Sequence, residues 1–125
     1  MANIIAIIWD FDKTLINGYM EEPIFAKFNV NSKEFWAEVN ALPEKYLQEQ
    51  HVRVNPDTIY LNHIINYTKR GIFRGLNNQM LREFGLELSF YAGVPEIFIK
   101  TKALIENEQK YSEYDIKLYS VVKVF

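Results

Sequence analysis

Two aspartates, Asp10 and Asp12, stand two residues apart directly behind the apolar run Ile4-Ile5-Ala6-Ile7-Ile8. In an extended chain, residues i and i+2 point the same way and lie about 6.6 Å apart along the strand. Carboxylates placed like this suit two kinds of chemistry. One can act as a nucleophile, splitting a hard displacement into two easier steps. Both offer the oxygen ligands that a hard divalent cation prefers.

The element that must position them is the run itself. Four isoleucines in five positions leave no polar face, which predicts a strand buried on both sides, as in a parallel sheet covered by helices. Asp10 and Asp12 then fall at its carboxyl end, where open α/β sheets place their ligands. Two acids ending a buried strand are hard to explain by folding alone. A calcium loop is a weaker reading of the same stretch. Asp10, Asp12, Thr14 and Glu21 match positions 1, 3, 5 and 12 of an EF-hand count, but the sixth position, which requires Gly, is Leu15.

Beyond Leu15 the signals turn helical. Asn17-Gly18 marks a turn, and Glu21-Glu22-Pro23 opens a helix expected to end near Asn29. Ser32 is expected to cap a second helix carrying Phe35, Trp36 and Val39, with Pro43 breaking it. Asn55-Pro56-Asp57 starts a third, stopping at Gly71, and a fourth from about Asn77 is expected to end at Gly85 as a left-handed cap. Past Gly93, Pro95 and Glu96 begin a fifth, with Ile97, Phe98, Thr101, Leu104 and Ile105 as its apolar face. Ile116-Lys117-Leu118-Tyr119-Ser120-Val121-Val122 reads as a second strand, parallel to the first through that crossover helix.

The 125 residues suit one compact domain or a small domain with an insertion. A net charge of −2 gives no electrostatic case for nucleic acid or anionic membrane as a partner. No cysteine is present, so disulfides and thiolate metal sites are excluded. The first apolar run breaks at Asp10, too early for a signal peptide or a membrane span, and a cytoplasmic location is expected. His51 and His63 are twelve apart, outside any spacing for a shared metal.

The stretch Asp10-Phe11-Asp12-Lys13-Thr14-Leu15, behind an N-terminal hydrophobic strand, resembles the first motif of the haloacid dehalogenase (HAD) superfamily of phosphohydrolases, Asp-x-Asp-x-Thr. Between the second Asp and the Thr that motif commonly has Gly, where this chain has Lys13. The resemblance implies Asp10 as the nucleophile toward a phosphoryl group and Asp12 as general acid and then base. It implies Mg²⁺ on the Asp10 carboxylate and the Asp12 backbone carbonyl, Thr14 in substrate binding, and a small phosphorylated metabolite as substrate. Gly93-Val94-Pro95-Glu96 resembles the return to the core in capped members. The implied fold is α/β, a partial HAD-like Rossmannoid core of residues 1–16 and 91–125 with an inserted helical cap of residues 17–90. Ser120 is the hydroxyl nearest the family's second motif, about two residues early.

The third motif, a Lys, and the fourth, an acidic pair, have no counterpart in these 125 residues. Two strands also fall short of the usual four to six. The expectation is a truncated chain, a homo-oligomer or partner chain completing the sheet, or an inactive remnant serving as an association module.

Overall fold

The computed structural model describes residues 3–121, and of residues 118–121 the backbone alone. These form two strands, five α-helices and one 3₁₀ turn. The first strand, β1, spans Asn3–Asp10, followed by α1 (Glu22–Phe28), α2 (Ser32–Gln50), α3 (Ile59–Lys69), α4 (Asn78–Leu86) and α5 (Val94–Glu106). A 3₁₀ turn at Gln109–Tyr111 precedes the second strand, β2 (Tyr114–Val121). The described residues divide into two compact units. One combines residues 3–19 and 89–121; the other is Met20–Leu88.

The first unit is a parallel pair of strands joined by α5, with Asn3 beside Tyr114 at one end and Asp10 beside Val121 at the other. A parallel pair requires such a crossover, because a hairpin can join only antiparallel strands. Gly93, at φ 82°, makes the turn into α5, and Pro95 sits in the first turn, where a missing N–H costs nothing. Trp9 meets Phe98 edge to face, with ring centroids 5.9 Å apart, which fixes the sheet face that α5 covers.

The expected burial of β1 on both sides is not found. Ile5, Ile7 and Trp9 are partly covered, whereas Ile4, Ala6 and Ile8 are exposed. Among the described residues of this unit one helix packs on the pair, and one helix covers one face. The apolar face expected of α5 is corrected in the same way. Val94, Phe98, Thr101 and Ile105, at spacings of four, three and four, are the covered positions, while Ile97 and Leu104 are exposed.

The second unit is all-helical around a closed core of Ile24, Phe25, Phe35, Val39, Ile59, Tyr60, Tyr67, Phe73 and Phe84. Phe35 is fully buried, and its ring touches those of Phe25, Trp36, His63, Tyr67 and Phe73. Three local expectations are corrected here. Pro43 lies inside α2, which continues to Gln50 because its apolar side is held on both sides of the proline, by Phe35 and Val39 before it and Tyr46 after. The cap of α2 is Asn31, not Ser32: Asn31 Oδ1 accepts the Lys33 N–H at 3.0 Å. Gly85 is a helical residue of α4 and not its left-handed cap. The left-handed helix ends belong instead to Asn29 (φ 52°) after α1 and His51 (φ 55°) after α2.

Candidate active site

Asp10 is the last residue of β1, and the chain turns tightly just beyond it. The Phe11 carbonyl accepts from the N–H groups of Thr14 (3.2 Å), Leu15 (2.9 Å) and Ile16 (3.2 Å), while the Lys13 N–H reaches the Gly18 carbonyl at 3.0 Å. Asp12 and Ile16 bridge each other across this turn, and Ile16 bridges Phe90 on its other side. The buried side chains of Leu15 and Ile16 anchor the turn. The Tyr91 N–H donates to the Leu15 carbonyl at 3.0 Å, and the Asn17 N–H to the Ser89 carbonyl at 2.9 Å. A loop that would otherwise be loose is therefore tied at both ends by backbone.

The turn brings Thr14 back onto Asp10. Its Oγ1 donates to Asp10 Oδ2 at 2.9 Å. Asp10 Oδ1 is buried and has no hydrogen-bond donor. A buried carboxylate oxygen is costly unless a partner satisfies it. Lys13 adopts φ 56°, the left-handed backbone that costs an L-residue roughly 1–2 kcal/mol and glycine almost nothing. Its ammonium lies 4.4 Å from the centre of the Tyr19 ring, a cation–π contact that offsets part of that cost.

Asp10, Asp12 and Thr14 thus belong to one turn at the carboxyl end of a parallel strand. The strand ends at Asp10, so Asp12 is set by the turn and its bridge to Ile16 and not by continued extension. Ser120 is the register partner of Trp9, one residue before the level of Asp10, and its side chain lies outside the described ones. No group of three or more His, Cys, Asp or Glu side chains suited to a metal is found among the described residues. Nor is any helix there long and apolar enough to cross a membrane.

The helical unit holds a polar cluster that sequence reasoning did not find. Glu38 Oε2 accepts from the Tyr67 hydroxyl at 3.0 Å and pairs with His63 Nε2 at 2.8 Å. Because the oxygen is an acceptor, Nε2 carries the proton, and the buried Nδ1 has no partner. Desolvation raises the Glu38 pKa, but the hydrogen bonds from Tyr67 and His63 outweigh it and hold the carboxyl below its ordinary value. Burial, then the bond to Glu38, pushes the Tyr67 hydroxyl up. His63 also borders a cavity of about 360 Å³ beside Lys45, Tyr46 and Arg70. The available signal was the spacing: His63 and Tyr67 are four apart on the buried side of α3, so a polar partner had to face them.

No protein-family model matches the chain, and no solved structure matches it. An uncharacterized protein of Borreliella burgdorferi is 37% identical over 123 residues, a match that takes in 98% of this chain and 43% of that relative. The chain spans less than half the length of the relative it resembles.

Proposed function

We propose that this chain carries the nucleophile-bearing part of a magnesium-dependent phosphohydrolase of the HAD type, with Met20–Leu88 as its cap. The observation that supports this reading is the Asp10 carboxylate, at the carboxyl end of a parallel strand, held by Thr14 through one oxygen and unpartnered at the other. The positive φ at Lys13 adds to it, since it falls where the resembled motif commonly has glycine.

In the proposed reaction an Asp10 carboxylate oxygen attacks the phosphorus of a small phosphate monoester. The bond from phosphorus to the ester oxygen breaks, and Asp12 gives that oxygen its proton. A water then loses a proton to Asp12 and attacks the phosphorus, releasing phosphate and restoring Asp10. The residues fit Mg²⁺ in one respect: Asp10 Oδ1 is a buried anionic oxygen with no donor. Asp10 and Asp12 would hold the ion, and Mg²⁺ would supply neutralising charge at the phosphoryl oxygens.

A second reading, a non-catalytic association module, is favoured by the exposed face of β1. Hydrolysis of a generic aryl phosphate, with and without Mg²⁺ and beside Asp10→Asn, separates the two. The phosphohydrolase reading expects turnover that requires both the metal and Asp10. Turnover no greater than that of Asp10→Asn would overturn activity in this chain and leave the association module.

A further inference from the structure

In the helical unit a cavity of about 360 Å³ opens between the later turns of α2 and α3. That volume is within the range of small-molecule pockets. Leu42, Lys45, Tyr46 and Glu49 line it from α2, at spacings of three, one and three that keep them on one side of the helix. His63, Asn66, Lys69 and the cap residue Arg70 line it from α3, at spacings of three, three and one. All of these residues belong to Met20–Leu88, so the pocket owes nothing to the chemistry at Asp10.

Its charge is one-sided. Lys45, Lys69 and Arg70 are cations, against the single carboxylate Glu49. None of the three cations forms an ion pair with a described residue. The Glu38 carboxylate is engaged by His63 and Tyr67. Basic residues at a helix end stabilise its negative pole, which accounts for Lys69 and Arg70. It does not account for Lys45, which lies in the interior of α2 and lines the same pocket from the other helix. The guanidinium of Arg70 lies over the Tyr67 ring, 5.4 Å from its centre, a contact that limits its freedom before any ligand arrives. His63 supplies a second signal. It is 5% exposed, borders the pocket, and has a buried Nδ1 with no hydrogen-bond partner. In a purely structural contact between two helices, an apolar side chain would fill that place at lower cost.

We infer that this pocket binds a small organic anion, a phosphate or carboxylate whose charged group sits among Lys45, Lys69 and Arg70 and whose carbon skeleton lies against Leu42 and Tyr46. Arg70 offers paired donors to either head group, and the two lysines add point charges. Nucleic acid is a poor fit, because three cations in one concave site make no extended basic track and the chain has a net charge of −2.

The test titrates the full isotope-labelled chain, in EDTA, with glycerol phosphate, glycerate and neutral glycerol, following backbone amide shifts. Saturable shifts are expected in residues 42–50 and 63–70 with one or both anions, and none with glycerol. The tighter of the two anions then identifies the head group. Lys45→Gln and Arg70→Gln should each weaken binding about tenfold with circular dichroism unchanged, and Arg70→Lys should recover part of the loss. Asp10→Asn should bind as the parent does. Shifts of equal size with glycerol, no saturation by either anion up to about 10 mM, or affinity that survives both glutamine substitutions would each overturn the inference. So would saturable shifts centred on Asp10 to Thr14 and abolished by Asp10→Asn, which would place the anion at the candidate active site instead.

Discussion

The helical unit and the sheet unit use apolar residues to different ends. In Met20–Leu88 nine buried side chains converge on one cluster, and Phe35 and Phe73 lose all contact with solvent. In the sheet unit the buried apolar residues among those described are Leu15, Ile16, Val94 and Ile116, and of these Leu15 and Ile16 serve the turn after Asp10. Ile4, Ile8, Ile97, Ile99 and Leu104 stay exposed in that same unit. The difference follows from what each kind of element can close by itself. Helices satisfy their own backbone and need only neighbouring helices to bury a stripe. A strand has two faces, and one helix on one side leaves the other face open. Among the described residues, core completeness and possession of the catalytic candidates are thus separated: the unit with the closed cluster lacks Asp10, and the unit with Asp10 shows no such cluster.

Truncating one side chain in each unit should give the largest difference in stability. Phe35→Ala removes a fully buried ring that touches five others, and a loss of about 3–5 kcal/mol is expected in urea denaturation. Ile8→Ala, made at a side chain 65% exposed, should change stability by less than about 0.5 kcal/mol. A loss at Ile8 approaching that at Phe35 would mean the β1 face is already covered in solution.

Next in size is the polar cluster, which the sheet unit has no counterpart for among its described residues. Glu38→Ala removes the acceptor from both His63 and Tyr67, leaving two largely buried donors unmet at an expected cost of about 1–3 kcal/mol. The pH dependence has a defined sign. The Glu38 pKa is depressed in the folded chain, so its contribution is present above the ordinary value of 4.5 and is lost as pH falls through the lower folded value. The Tyr67 pKa is raised, so its contribution holds below the ordinary value of 10.0 and is lost as pH rises through the higher folded value. Denaturation midpoints of the parent should therefore fall at both extremes. Glu38→Gln should lose the part of the acid limb that comes from this residue, and an acid limb identical to the parent's would sink the assignment.

How far the sequence announces all this depends on whether the deciding interaction is local. The strand ending at Asp10 is legible because a β-branched run and its punctuation lie within twelve residues. The Asn77 cap, whose Oδ1 accepts the Met80 N–H at 3.0 Å, and the Gly93-Val94-Pro95 start are legible for the same reason. Pro43 misleads because its local penalty is outweighed by packing of Phe35, Val39 and Tyr46 on either side. The open face of β1 misleads because an all-apolar strand states which residues want cover, not what supplies it. Glu38, His63 and Tyr67 are 25 and 29 residues apart, and only the packing of α2 against α3 joins them. At the candidate site, Asp10, Asp12 and Thr14 stand out by type and spacing alone, whereas the bond from Thr14 to Asp10 is set by the turn between them.

The smallest effects come from glycine, where one substitution should act with opposite sign in the two units. Gly85 lies within α4 on helical backbone, and an added Cβ would meet nothing within 4 Å. Gly85→Ala should stabilise by about 0.5–1 kcal/mol, since alanine loses less backbone freedom on folding. Gly93 also has open space around it, but its φ of 82° lies in the left-handed region. Gly93→Ala should therefore destabilise the sheet unit by about 1 kcal/mol through backbone strain alone. Hydrogen exchange reads each unit separately, in α4 for the first variant and in α5 for the second. Faster exchange in α4 of Gly85→Ala would show that this glycine is needed for helix termination after all. Unchanged exchange in α5 of Gly93→Ala would show that the turn into the crossover helix relaxes without cost, as a unit with an unfinished core can do and a closed one cannot.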